Sequence, residues 1–475
     1  MSSSGSYAPA LERAFEHALA YLGGLDEVPV ASTVTLEELR ERLTHPLTDV
    51  GTDAADVIDQ LAADMEGGLT GSGGGRFFAW VIGGAVPAAL AADWLTSAWD
   101  QNAGLYACAP AAAVAEEISG TWLKDLLGLP TTASFAFVTG CQMAHVTCLA
   151  AARNALLAAR GWDVEKRGLF GAPALRILGA GERHGTVQRA ARFLGLGTDC
   201  LLDVPVDTQG RLTASELERA LEQTDKHPTV VLLQAGNIDT GIFDSFEELV
   251  PIAREHDAWV HVDGAFGLWV AANPAYRHLV AGVERADSWA CDGHKWLNVP
   301  YDSGYAFVAD AAAHRASMST RASYLTHSDD ARDQMDWNPE HSRRARGIAT
   351  YAAIRQLGRS GIADLVERCC RHASNLVAGI GKLPGAEVLW APIINQGLVR
   401  FVDPRNGASD IDHDRRTDAV IEALLADGEA FFSGTTWRGK RCMRVSVCSW
   451  LTRESDVERT VATVKSCLDE GLRRG

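Results

Sequence analysis

Alternating strand and helix patterns between residues 174 and 263 do most to limit what this chain can fold into. Leu175 to Leu178 reads as a strand, Thr186 to Leu194 as a helix, and Leu201 to Val206 as a second strand-like run. Thr213-Ala-Ser-Glu216 has the S/T-x-x-E spacing of a capping box, in which two side chains satisfy N–H groups at a helix start. Leu217, Ala220 and Leu221 then share one face of that helix. Thr229 to Leu233 is continuously apolar, as a strand covered on both faces must be. Phe246, Leu249, Val250 and Ala253 recur at i, i+3, i+4 and i+7 of a further helix, and Trp259 to Val262 makes a strand that ends at Asp263. Repeated β-α units predict an α/β fold with a mainly parallel sheet and helices on both faces. Ligands of such sheets sit beyond the carboxyl ends of strands, so Asp263 stands where chemistry is expected.

The flanks read differently. The first hundred residues look helical and loop-like, with GGLTGSGGG at 67–75 predicting a flexible linker. That run lacks the Lys-Ser/Thr of a P-loop. Beyond about residue 350 a long helix from Ile348 to Ile380, with breaks expected at Gly358 and Gly361, leads to a strand at Val399 to Val402. A helix near 415–426 and a strand at Met443 to Val447 complete a smaller α+β domain. The expected division is an N-terminal helical and dimerisation segment at 1–84, a large domain at 85–352 and a small domain at 353–475.

Charge and cysteine usage narrow the function. A formal net charge of −17 disfavours nucleic acid and anionic membranes as partners, because both need a basic surface. The apolar stretch from Phe77 to Ala92 is short for a membrane span and carries Gly83, Gly84 and Pro87. Met1 to Pro9 lacks a basic region followed by an apolar run, so a cytoplasmic enzyme of small molecules is expected. The 10 cysteines form no C-x-x-C pair, which argues against a disulfide framework or a zinc site.

Chemistry concentrates in HVDGAFG at 261–267 and DGHKWLN at 292–298. A pyridoxal 5′-phosphate (PLP) enzyme needs a lysine that bonds the cofactor aldehyde and a carboxylate that keeps the pyridine nitrogen protonated. Lys295 and Asp263 supply that pair. His294, Trp296 and Leu297 around Lys295 argue against a merely solvated lysine. Lys295 must also be neutral for part of the cycle, which a buried site bearing other cations favours. A metal-dependent hydrolase is the rival reading, with His261, Asp263, Asp292 and His294 as ligands, but it leaves Lys295 without a role. A dinucleotide fingerprint in GAGERH at 179–184 fails at its third glycine, which is His184.

The HVD-x-A strand end and the His-Lys-Trp triplet resemble the group II pyridoxal-dependent decarboxylases, and the likeness runs from about Arg76 to Val447. The resemblance implies the fold-type I PLP architecture, a homodimer with active sites at the interface, and PLP as cofactor. It implies that Ala265 packs against one face of the cofactor ring and that His184, in GERHGTVQRAARFLGLG, covers the other. Gly140, Cys141 and Gln142 match the family's phosphate-binding turn, and His294, next to Lys295, is expected to contact the cofactor. Cys141-Gln142-Met143 departs from the Ser or Thr and Glu of many relatives, and Asp292 would repel a phosphate unless turned away or hydrogen-bonded. Asn237 and Thr240 match a turn that reaches the cofactor edge, although a polar turn residue explains them equally well. Tyr324, in SYLTH, falls where these decarboxylases place the tyrosine that protonates the substrate α-carbon. Trp80, Val81 and Ile82 match the wall of the substrate pocket. The implied reaction is decarboxylation of an L-amino acid with an apolar or aromatic side chain to the amine and carbon dioxide. Oxidative deamination to an aldehyde, transamination and Cα–Cβ cleavage are the alternatives on the same fold.

Overall fold

Seven strands build the sheet that carries the candidate site: β1 (Ser134–Val138), β2 (Arg176–Ala180), β3 (Leu201–Val204), β4 (Thr229–Gln234), β5 (Trp259–Asp263), β6 (Ser288–Asp292) and β7 (Gly304–Val308). Their order across the sheet is β1-β7-β6-β5-β4-β2-β3. The computed structural model describes residues 6–224, 227–320 and 331–473. Pairs β2–β3, β2–β4, β4–β5 and β5–β6 are parallel, as the repeated β-α pattern predicts. β7 runs antiparallel to both β6 and β1. Its reversal follows from chain length: β6 is joined to β7 by residues 293–303, too short for a helical crossover but enough for an antiparallel return. That return carries Lys295.

Every residue of β1, β4, β5, β6 and β7 is buried. Helix Cys141–Ala158 lies against this sheet with Ala144, Cys148, Ala151 and Ala152 fully buried, small side chains that let helix and strands approach closely. Helices Gly185–Phe193, Ala214–Thr224 and Phe246–Glu255 fall on the segments whose periodicity predicted them. The Thr213 hydroxyl accepts the Glu216 N–H at 3.4 Å, one half of the expected capping box.

The chain divides into two compact units. The described residues within Gly83–Ser374 and Trp390–Gly397 form the unit around the seven-stranded sheet. Those within Met1–Ile82, Asn375–Leu389 and Leu398–Gly475 form the other. The second unit holds a sheet of β8 (Ala386–Trp390), β9 (Gln396–Phe401), β10 (Ser433–Trp437) and β11 (Lys440–Ser446), in the order β10-β11-β9-β8. Helices Asp410–Asp427 and Glu454–Arg473 accompany it, and helices Ala8–Gly24, Leu36–Leu43 and Ala54–Met65 precede it without a single buried residue.

Two expectations need correction. Residues 67–75 are not a flexible linker, because Gly71, Gly74 and Gly75 are buried and the Gly71 N–H donates to Val30 O at 2.9 Å. A Cβ on Gly75 would stand 2.7 Å from Asp456 Oδ2 and 2.9 Å from Leu451 O, so the glycines serve close packing. The long helix Gly347–Gly381 breaks at Gly358, where φ is 62° and ψ 179°, but not at Gly361. Among the described residues no helix is long and apolar enough to cross a membrane.

Candidate active site

Two neighbouring strand ends set up the site. Parallel pairing of β5 with β6 brings Asp263 opposite Ala290, and both strands end at a carboxylate, Asp263 and Asp292. Asp292 Oδ1 accepts the N–H of Cys141 at 2.6 Å, at the start of helix Cys141–Ala158, and Oδ2 lies 3.2 Å from Lys295 Nζ. The carboxylate thus stands at a helix N-terminus, whose partial positive charge favours an anion. The repulsion expected between Asp292 and a phosphate is met by this anchoring, since both oxygens already face donors.

Around Lys295 the chain is packed tightly. Trp296 and Leu297 are buried and Lys295 itself is mostly so, in keeping with the apolar neighbourhood read from the sequence. His294 receives the Ser303 N–H on Nδ1 at 3.2 Å, lies 3.6 Å from Asp292 Oδ1 through Nε2, and stacks on the Tyr301 ring with centroids 4.3 Å apart. A Cβ on Gly140 would come 2.9 Å from His294 Cε1, so a larger residue in the turn before the helix would push the imidazole aside. From the other side Gly83 approaches Lys295 so closely that a Cβ would sit 1.9 Å from its carbonyl oxygen.

The electrostatics differ from one expectation. Burial alone would lower the Lys295 ammonium, but the Asp292 and Asp263 carboxylates raise it above its ordinary value. Carboxylates, not the cations expected from the sequence, face Lys295 and favour its charged form. Burial pushes the Asp263 carboxyl up, and His145, Lys295 and His184 overcome it and hold the group below its usual range. Burial, reinforced by Asp292, pushes the Cys141 thiol up, which keeps it protonated.

Asp263 faces a further group that the sequence reading missed. His145 Nε2 lies 3.6 Å from Asp263 Oδ2, its Nδ1 is 2.9 Å from His261 Nε2, and His261 Nδ1 is 2.9 Å from Ser288 Oγ. A histidine among the small apolar residues of CQMAHVTCLAAA was the available signal.

The remaining expected residues are placed as follows. Ala265 donates its N–H to Asp263 Oδ1 at 3.2 Å and is half-buried. His184 is the exposed N-cap of helix Gly185–Phe193, with Nδ1 2.8 Å from Thr186 Oγ1. Asn237 Oδ1 accepts the N–H groups of Asp239 and Thr240 and the Thr240 hydroxyl, while Nδ2 donates to Glu182 O at 3.2 Å. Asn237 and Thr240 thus hold the turn together. In the other unit Trp80 is half-exposed at φ 49°, its ring 5.9 Å from Phe77 and 5.8 Å from Phe431 between centroids. Val81 is buried, and Ile82 packs against Val30, Phe77 and Ala79. Tyr324 lies outside the described residues.

The ligand set of the metal reading does not assemble. His261 spends one ring nitrogen on His145 and the other on Ser288, which leaves none for an ion beside Asp263, Asp292 and His294. Among the described residues the converging donors are Cys141, His145 and Asp263, within 4.8 Å of one another, a set that shares only Asp263 with the expected ligands.

PLP, the cofactor expected from the sequence, fits the residues present. Lys295 offers a buried amine, Asp263 a buried carboxylate held ionised, and Gln142 an unspent amide. Gln142 Nε2 and Oε1 are buried without a hydrogen-bond partner among the described residues, at the start of helix Cys141–Ala158, where backbone N–H groups favour a phosphate. A buried polar group left unpaired costs free energy unless a ligand satisfies it.

A model of the pyridoxal-dependent decarboxylase conserved domain matches residues 37–402. An aromatic-L-amino-acid decarboxylase of Bacillus atrophaeus is 24% identical over 457 residues, 95% of this chain and 93% of that protein. The human cysteine sulfinic acid decarboxylase is 27% identical over 398 residues, 82% of this chain and 80% of its own length. Among solved structures, Oryza sativa TDC with PLP and tryptamine superposes with a TM-score of 0.90 at 23% identity, covering 97% of each chain. That likeness bears out the fold-type I architecture.

Proposed function

The chain belongs to the pyridoxal-dependent decarboxylase family, and from that membership we propose that it removes the carboxylate of an L-amino acid as carbon dioxide and releases the amine. The observation that carries the reading is a buried lysine and a buried ionised carboxylate, Lys295 and Asp263, at neighbouring strand ends. Lys295 would hold PLP, Asp263 would face its ring nitrogen, Ala265 and His184 its two faces, and Gly140, Cys141 and Gln142 its phosphate, with His294 and Asn237 as further contacts to the cofactor. When bound, the cofactor supplies an electron sink for the pair left as the substrate carboxylate departs.

The chain's own groups handle the protons and the charge. Asp292 stands 3.2 Å from Lys295 Nζ and is placed to take or return the proton there. Asp263, held anionic, stabilises positive charge facing it without protein reorganisation during the reaction. Tyr324 delivers a proton to the substrate α-carbon. Trp80, Val81 and Ile82 set a preference for an apolar or aromatic side chain. We also read the enzyme as a cytoplasmic homodimer, with a dimerisation segment at 1–84.

The test is product analysis by mass spectrometry of PLP-loaded protein given a panel of amino acids, aromatic ones first. The matching amine with carbon dioxide is the expected result. An aldehyde or keto acid in its place would overturn the decarboxylation while keeping the cofactor site.

A further inference from the structure

Behind Asp263 runs a line of buried polar side chains that the mechanism above does not use. It crosses from β5 and β6 to helix Cys141–Ala158. The Trp259 indole Nε1–H donates to Ser288 Oγ at 2.9 Å, and Ser288 Oγ lies 2.9 Å from His261 Nδ1. His261 Nε2 lies 2.9 Å from His145 Nδ1, and the two rings meet edge to face at 89°. Among the described residues His145 Nε2 has no hydrogen-bond partner, and it lies 3.6 Å from Asp263 Oδ2. His145, His261 and Ser288 are fully buried.

The direction of the protons follows from the donors. An indole nitrogen can only donate, so Ser288 Oγ accepts from Trp259. Ser288 has one proton of its own, and the His261 imidazole nitrogen is a better acceptor for it than the neighbouring Cys148 sulfur. Burial lowers the pKa of His261 to about 3, and it lowers that of His145 too, so both rings are neutral and each carries one N–H. With Nδ1 accepting, His261 carries its proton on Nε2 and donates to His145 Nδ1. His145 is left with its N–H on Nε2, facing Asp263. At 3.6 Å this is an oriented dipole facing a carboxylate, not a hydrogen bond, and it leaves Asp263 able to bond elsewhere.

We propose that Trp259, Ser288, His261 and His145 form a one-way hydrogen-bond relay that aims the His145 Nε2–H at Asp263 and holds that carboxylate ionised, making His145 and His261 positioning residues for the reaction. The inference rests on the reading of Asp263 as the partner of the cofactor's ring nitrogen. The other groups acting on Asp263 are Lys295, which reinforces the relay, and His184 at the N-cap of its helix. Cys141, the other side chain converging on it, is held as a neutral thiol. A core-filling role for the two histidines predicts loss of stability on substitution but no change in charge at the cofactor.

The experiment is isotope-edited NMR of PLP labelled at the ring nitrogen and bound to the full chain, followed across pH. In the unsubstituted protein the nitrogen is expected to stay protonated. In His145→Phe, which removes the N–H while filling the space, the protonated fraction at alkaline pH should fall at least twofold. His145→Gln, which can still accept from His261 and donate to Asp263, should restore it. Ser288→Ala removes a single hydroxyl and should shift the titration the same way by less, so it decides the matter if His145→Phe does not load cofactor. A ring nitrogen that remains protonated in a loaded His145→Phe, or in Ser288→Ala where only that variant loads, overturns the relay. Asp263→Asn separates the two readings. If its ring nitrogen also remains protonated, the assignment of Asp263 itself fails. If it loses the proton while His145→Phe keeps it, only the relay fails.

Discussion

Replacing Gly83 with alanine tests whether its close approach to Lys295 shapes the cofactor site. The added Cβ would stand 1.9 Å from the Lys295 carbonyl oxygen and 2.9 Å from Asn298 Nδ2. Relieving the first contact to ordinary van der Waals distance moves a backbone by more than an ångström, and the oxygen belongs to main chain and cannot rotate away. Val86 N–H donates to Asn298 O at 2.9 Å, so the chain just beyond Gly83 is tied down and cannot simply lift off. Overpacking of this kind costs about 1–3 kcal/mol. If the strain is relieved by displacing Lys295, cofactor affinity falls about 5- to 150-fold, since each 1.4 kcal/mol is a factor of about ten. Titration of apo-protein with PLP, followed by absorbance, measures the affinity, and urea unfolding of the same apo-protein measures strain left in the fold. Unchanged affinity together with unchanged stability would refute the reasoning.

Other expectations follow from single contacts. Lys295→Ala should abolish turnover, and activity at the parental level would end the PLP assignment. Asp292→Asn keeps an acceptor for the Cys141 N–H but removes the charge that raises the Lys295 ammonium. The pH midpoint for bonding of Lys295 to PLP should then move down, and a midpoint that stays or rises would contradict the ion pair. Arg343 and Glu116 form a fully buried pair at 2.8 Å, so Glu116→Ala should destabilise by about 3–5 kcal/mol in urea unfolding, the cost of leaving a buried charge alone. Burial raises the Asp244 carboxyl to about 6 from 3.8, although it accepts the N–H groups of Gln234 and Leu212. Its stabilising contribution is therefore full below about pH 4 and lost as the pH rises through about 6. Asp244→Asn should flatten that part of the stability profile, and an unchanged profile would count against the buried carboxyl.

The α/β unit was readable because its elements announce themselves locally. Continuous apolar runs such as Thr229 to Leu233 can serve only as strands covered on both faces, and the Phe246 spacing can serve only as one helix face. The smaller unit was harder to divide. Its parts come from Met1–Ile82, Asn375–Leu389 and Leu398–Gly475, and no local pattern states that such distant stretches share a core. The glycine run at 67–75 misled for a related reason: glycine permits flexibility and close packing alike, and only neighbours such as Leu451 and Asp456 decide between them.

By itself the sequence determined the chemistry on offer: a lysine between a histidine and a tryptophan, a carboxylate at a strand end, and a family resemblance carried by those few residues. It could not determine their charge states. Lys295 was expected to be neutral for part of the cycle in a site bearing other cations, and the groups that face it are carboxylates, because the return from β6 to β7 folds it back onto Asp292. Nor could it reveal that His145 stands behind Asp263, since 118 positions of chain separate them and only parallel pairing of the strands beneath helix Cys141–Ala158 brings them together. Residue type is a local property, whereas a buried group's charge depends on what the fold sets within a few ångströms of it, and that is decided by tertiary structure alone.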